Sequence, residues 1–225
     1  GTRVVVAGPT DNNVRRLDIL TFLNWTLPEV YRLVPQPAER LTIISAGDPM
    51  WRGGLSASQS LYLHADRPLV SENGTSTPLH EVLHVMFGLR AEPGSDWIVE
   101  GLAEYYTVEI LSRSGGLSAE RSRRSLASLA EWADSMEVLC EDPSTGSRTA
   151  YAATLFATLD AEIRAATGNS RNLDDVLGIL LGQPGRVDAG DLIEAATGIV
   201  GARPDALQED ALPGCLPEAP KSSSE

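Results

Sequence analysis

Basic charge is scarce in this chain. Its 225 residues carry 18 Lys and Arg against 31 Asp and Glu, for a formal net charge of −13. That balance argues against nucleic acid and anionic membrane surfaces as partners, and it favours solubility. Lys221 is the only lysine among the basic residues; the bias towards Arg fits a GC-rich genome and says nothing of partners. No apolar run approaches the length of a membrane span. Aromatic residues are few, 5% of the chain against 42% hydrophobic residues in all. A core built mostly of aliphatic side chains is therefore expected, and the length suits one domain, with room for two lobes. There is no internal repeat. Cysteine is limited to Cys140 and Cys215, which lack zinc-finger spacing. A disulfide between them is the favoured reading, with two free thiols as the alternative. It would tie the C-terminal tail to the helical body and imply a secreted or periplasmic protein. A first residue Gly1 in place of Met fits a processed or trimmed product. The oligomeric state is not legible.

Histidine is scarcer than charge, with three residues in the chain, and two of them share one motif. His80, Glu81 and His84 lie in His-Glu-Val-Leu-His, the HExxH pattern. On a helix, residues four apart share a face, so both imidazoles point to one spot. Zinc takes neutral imidazole nitrogen, and a catalytic site needs three protein ligands and an open position. Glu81, beside the first His, suits the general base that acts on metal-activated water. The competing reading is an ordinary amphipathic helix with two surface histidines. The apolar neighbours Val82, Leu83, Val85, Met86 and Phe87 favour a buried helix instead, and buried imidazoles need partners. A metal ion satisfies both at once.

A second segment can supply the third ligand. Glu100 and Glu104 are also four apart, among Trp97, Ile98, Val99, Leu102, Tyr105 and Tyr106. Two like charges on one face of so apolar a helix are unfavourable unless something positive lies opposite. Glu100 is assigned as metal ligand. Glu104 is assigned to accept the outer N–H of a ligating His and set its tautomer. An ordinary solvated acidic face is the alternative.

With these residues the chain resembles a gluzincin metallopeptidase, and within that group the catalytic domain of the glycyl aminopeptidase family. The likeness rests on His80-Glu81-Val82-Leu83-His84, on the run Trp97 to Tyr106, on Arg113 and Gly116-Leu117, and on the stretch Tyr151 to Arg164. Thr167-Gly168 and Leu173 to Leu177 extend it, so that about half the chain is covered, residues 76–200. The resemblance implies a zinc peptidase with a thermolysin-like zincin catalytic domain. It implies His80, His84 and Glu100 as ligands, Glu81 as base and Tyr151 as hydrogen-bond donor to the developing oxyanion. A packed tyrosine at a helix start is the alternative for Tyr151. Residues 85–99 separate His84 from Glu100, a shorter stretch than the family's. Ala153-Thr154 stands where a Lys-Gly is usual after the tyrosine, and the family's flanking β-rich and PDZ domains do not fit in this length.

Along the chain, residues 3–7 read as a strand. Thr10, Asp11 or Asn12 is a candidate cap for a helix running to about Leu33, with Leu17, Leu20, Leu23 and Leu27 near helical spacing and Pro28 a possible kink. Leu41 to Ser45 is a second strand and Ser58 to His64 a third. Segment 55–63 is the candidate edge for pairing with extended peptide, an ordinary sheet strand being the alternative. His64 reads as a partly exposed strand-end residue. The zinc helix starts near Thr77-Pro78 and ends near Gly88. The Glu100 helix runs to about Arg113, and Ser118 to Leu139 is a long helical stretch whose Arg121, Arg123 and Arg124 read as a solvated face, contact with a peptide carboxylate being the alternative. Ser147 to Thr167 carries Tyr151, with shorter helices at 173–181, 188–197 and 204–212. The expected fold class is α+β, a small N-terminal sheet followed by a mostly helical C-terminal lobe. The expected boundaries are a metallopeptidase domain over 1–212, with an α/β lobe to about 90 and a helical lobe beyond, then a disordered tail over 213–225.

The function expected from the residues is zinc-dependent hydrolysis of peptide bonds, with a peptide or protein as partner and Zn2+ as cofactor. Aminopeptidase and endopeptidase are not separable, since no particular carboxylate is marked to hold a substrate's free amine. The alternatives are a non-catalytic binding scaffold with a structural or vestigial zinc, and a zinc hydrolase acting on a non-peptide amide.

Overall fold

Short runs of Val, Ile and Leu in the first third of the chain pair into a sheet, and most of the other described residues are helical. The computed structural model describes residues 1–10 and 13–215. The strands are β1 (Arg3–Ala7), β2 (Arg40–Ala46), β3 (Gly54–Ala57) and β4 (Ser60–His64). Helices follow as α1 (Arg16–Leu33), α2 (Thr77–Phe87), α3 (Asp96–Arg113), α4 (Ala119–Ala133), α5 (Ser147–Ala166), α6 (Leu173–Gly182) and α7 (Ala189–Val200). Two 3-10 turns, Asp205–Leu207 and Glu209–Ala211, close the series. The fold class is α+β, as expected. Among the described residues, no helix is long and apolar enough to cross a membrane.

By internal contacts the chain forms two units, and neither is one continuous stretch. The first comprises Gly1–Leu89 and Ala103–Ser128; the second comprises Arg90–Leu102 and the residues from Leu129 on.

In the first unit the sheet order is β1-β2-β4-β3. β1, β2 and β4 are parallel neighbours, and β3 runs antiparallel to β4. Period-two alternation turns Leu41, Ile43, Ser45, Leu61 and Leu63 to one buried face. α2 packs on β3 and β4, and α1 on β1. Three expectations are corrected here. The segment 55–63 is not one edge strand. It is a hairpin turning between Ala57 and Ser60, and only β3 is at the edge. Its imperfect alternation is the break between the two strands. α1 starts at Arg16 without a side-chain cap; of the candidate caps, Asp11 and Asn12 lie outside the described residues. Its buried stripe is Ile19, Phe22, Leu23, Thr26, Leu27, Val30 and Leu33, while Leu17 and Leu20 are exposed, and the helix continues through Pro28. The isoleucine and phenylalanine, not the leucine spacing alone, set the inward face. The third is His64, which is only 1% exposed, with Asp48 of the loop ahead of β3 lying 3.5 Å from its Nε2.

The second unit is helical. Trp97 stacks on Phe156 with ring centroids 6.0 Å apart. Gly101 lies so close to Ala152 and Phe156 that a side chain there would overlap both; its lack of one sets how near α3 and α5 approach. Capping boxes at Asn172 with Asp175 and at Asp188 with Asp191 start α6 and α7. The Cys140–Cys215 disulfide is present, and the Trp97 indole N–H donates to Cys140 Sγ at 3.1 Å. The Asp142 carboxylate accepts the backbone N–H groups of Gly94 at 2.7 Å and Asp96 at 3.3 Å. Asp96 in turn accepts the Ser144 N–H at 2.9 Å. These bonds anchor the start of α3. α4 stops at Ala133 and not near Leu139, whose N–H donates to the Pro213 carbonyl. Residues 213–215 form a turn that ends in the disulfide; the rest of the expected tail lies outside the described residues.

Candidate metal centre

α2 is short, apolar and sharply bounded. The Ser76 hydroxyl accepts the Leu79 N–H at 3.2 Å, Pro78 occupies the first turn, and Gly88 ends the helix in the left-handed region at φ 61°. Eight of its eleven residues are buried, Glu81 among them. His80 and His84 stand one turn apart, with ring centroids 4.7 Å apart and planes at 75°. Their Nε2 atoms face each other at 3.0 Å.

α3 is one unbroken helix, so Glu100 stands one turn before Glu104. The Glu104 Oε2 atom lies 2.9 Å from His80 Nδ1. A carboxylate only accepts, so Nδ1 carries the proton and donates. With Nδ1 as the donor, a neutral ring would present an unprotonated Nε2. One candidate ligand atom from each of His80, His84 and Glu100 lies within 4.8 Å of the others. His64 does not join this group. The donor set fits zinc. Two nitrogens bound at 2.0–2.1 Å in a tetrahedral arrangement stand about 3.3 Å apart, close to the Nε2 separation here, and two imidazoles with one carboxylate leave a fourth position open.

Glu81 points to the edge strand. A Cβ built on Gly54 would lie 2.8 Å from Glu81 Cγ, 3.0 Å from its Oε1 and 2.8 Å from Thr77 Cγ2. The absence of a side chain at Gly54 lets β3 close on α2 beside this carboxylate. The sequence analysis assigned Gly54 no place at the site. Paired glycines directly before a short β run were the available signal.

The other assigned residues lie as follows. Tyr151 stands in the first turn and a half of α5, and its hydroxyl donates to the Ala211 carbonyl at 2.9 Å. Burial, and then the Asp210 carboxylate, push the Tyr151 phenol above its ordinary range, so the hydroxyl stays a donor. Arg113 pairs with Glu109 at 2.8 Å. Arg121, Arg123 and Arg124 are exposed, as expected of a solvated face. The buried His64 accepts the Asp66 N–H at Nδ1, at 3.3 Å. Its Nε2 is 3.5 Å from Asp48 Oδ1, too poorly aligned for a hydrogen bond.

No protein-family model matches the chain, and no curated protein does. Solved structures do. An aminopeptidase N family protein from Idiomarina loihiensis aligns with a TM-score of 0.59 at 16% identity, over 87% of this chain and 45% of its own. A variant M1 zinc metallopeptidase from Deinococcus radiodurans, bound to a Tyr-Ser-Ala substrate, aligns with a TM-score of 0.56 at 20% identity, over 96% and 49%. A two-domain M1 zinc metallopeptidase variant bound to L-arginine gives 0.59 at 18%, over 96% and 48%. The chain therefore shares an M1 peptidase-like fold and spans about half the length of these structures.

Proposed function

We propose that the chain is a zinc-dependent peptide hydrolase. The observation that carries this reading is the convergence of His80, His84 and Glu100, with His80 oriented by Glu104. His80, His84 and Glu100 would hold the ion. Zinc bound there supplies a Lewis acid for the scissile carbonyl and lowers the pKa of water. Glu81 takes the proton from the attacking water and hands it to the leaving amine. Its burial under β3 keeps the carboxylate in one place. Tyr151 enters as oxyanion donor on the family resemblance alone; its hydroxyl would first have to leave the Ala211 carbonyl, and Tyr151→Phe is the test.

The edge strand is the substrate's place in this reading. The His64 N–H donates to the Gly53 carbonyl, so Gly53 and His64 form a hydrogen-bonded pair. Alternation along the antiparallel ladder then makes Gly54–Leu63 and Ser56–Leu61 non-hydrogen-bonded pairs. The backbone groups of Gly54 and Ser56 face outwards, ready to pair with an extended peptide. Such a peptide passes beside Glu81. The M1 likeness supports a peptidase, and a glycyl aminopeptidase specificity rests on the resemblance in sequence. The Cys140–Cys215 disulfide is consistent with export to an oxidising compartment.

Metal analysis of the purified chain, run beside a peptide-library cleavage assay of wild type and Glu81→Gln, tests the proposal. About one zinc per chain is expected, with cleavage by wild type and a loss of about 10²–10⁴-fold in the variant. Zinc retained without cleavage by either protein would leave a binding scaffold. Equal cleavage by both would remove Glu81 as base.

A further inference from the structure

Large apolar side chains are exposed together on one face of the first unit's sheet. The register sets Ile44, Tyr62 and Leu55 side by side across β2, β4 and β3. Ile44 is 50% exposed and Leu55 65%. This is the face opposite the buried row of Ile43, Leu61 and Leu63. The loop before β3 adds Met50 and Trp51, and Trp51 is 63% exposed. Trp51 is nevertheless held. The Tyr62 hydroxyl donates to its carbonyl at 2.9 Å, and its indole lies on Gly53, where any side chain would overlap the ring. Single apolar residues on a surface carry no message, but a contiguous group beside a site does. A pinned indole adds a large contact area with little ordering cost on binding.

The group borders the free edge of β3. In a strand added to that edge, side chains alternate between faces. The residue opposite Gly54 would turn inwards, towards Glu81. Its chain neighbours would turn outwards, opposite Gly53 and Leu55, against the Trp51 indole and the Leu55 side chain. We propose that Trp51 and Leu55 select extended peptides that carry a large apolar side chain next to the residue lying over Glu81. This rests on reading β3 as the substrate edge, and it goes further by naming the substrate class.

The test uses the zinc-loaded chain and an alanine-based peptide in which one Phe is moved position by position. At one position kcat/KM is expected to exceed that of the all-alanine peptide by about tenfold. Trp51→Ala should collapse that ratio to about twofold or less, Trp51→Phe should restore most of it, and Leu55→Ser should reduce it in part. Both side chains face solvent, so the variants should melt with wild type. A ratio unchanged in Trp51→Ala, or no positional preference in wild type, overturns the proposal while leaving hydrolysis intact. Calorimetric titration of Glu81→Gln with the same peptides needs no turnover. Tighter binding of the Phe peptide there, lost on adding Trp51→Ala, sustains the proposal even if nothing is cleaved. A dimer in sedimentation velocity that Trp51→Ala dissolves would assign the patch to a second copy and overturn it.

Discussion

The Nδ1 atom of His80 donates to the Glu104 carboxylate across 2.9 Å. That one bond leaves Nε2 as the nitrogen for the proposed ion. It also holds the ring's orientation, because both side chains are largely shielded. Glu104→Ala should therefore lower zinc affinity by about 10–100-fold. Competition with a chromophoric chelator measures it. An affinity equal to wild type would leave Glu104 with no part in orienting the ligand.

Removing a ligand should cost stability as well as metal. At zinc concentrations about 100 times its Kd, an ion bound as proposed would stabilise the folded chain by about 2.7 kcal/mol. Chelator should lower the Tm of wild type, and His80→Ala should lose the response to both zinc and chelator. Scanning calorimetry with and without chelator reads this directly. A wild-type Tm indifferent to chelator is the result that would count against a metal here.

Gly54→Ala places a methyl group 2.8 Å from both Glu81 Cγ and Thr77 Cγ2, too close for either to stay where it is. Either β3 lifts from α2 or the carboxylate swings aside. The first misplaces the proposed substrate edge and the second the proposed base, and a misplacement of about 1 Å costs up to about 10²-fold. The expected signature is a fall in kcat with zinc content unchanged. Steady-state kinetics beside metal analysis gives both numbers, and full kcat in this variant would show that Glu81 needs no such clearance.

The Cys140–Cys215 bridge closes a loop across a sequence separation of 75 residues. Replacing both cysteines with Ser should lower stability by about 2–4 kcal/mol. Urea titration of oxidised, reduced and doubly substituted protein compares the three. Coincident curves would mean that the contacts around Leu139 and Pro213 hold that segment without the bond.

Much of the site was legible in the chain because a helix converts spacing into direction. His80 with His84, and Glu100 with Glu104, are four apart, and a backbone rise of 1.5 Å per residue leaves each pair on one face whatever surrounds it. Pro78 and Gly88 bounded α2 for equally local reasons. The apolar stripe of α1 was less legible. Leucines at near-helical spacing named two residues, Leu17 and Leu20, that face outwards. Which side of an apolar helix is buried depends on the sheet against which it packs.

By itself the sequence determined the fold class and named the candidate donor set. Both follow from local periodicity and from side-chain chemistry. Only the tertiary structure decided that β3 is the edge, that Gly54 sits against Glu81, that Glu104 reaches His80 Nδ1, and that the indole of Trp51 rests on Gly53. These depend on strand register and on the approach of α2 to the sheet and to α3. Such approaches come from the summed packing of many distant side chains, and no single stretch of chain encodes them.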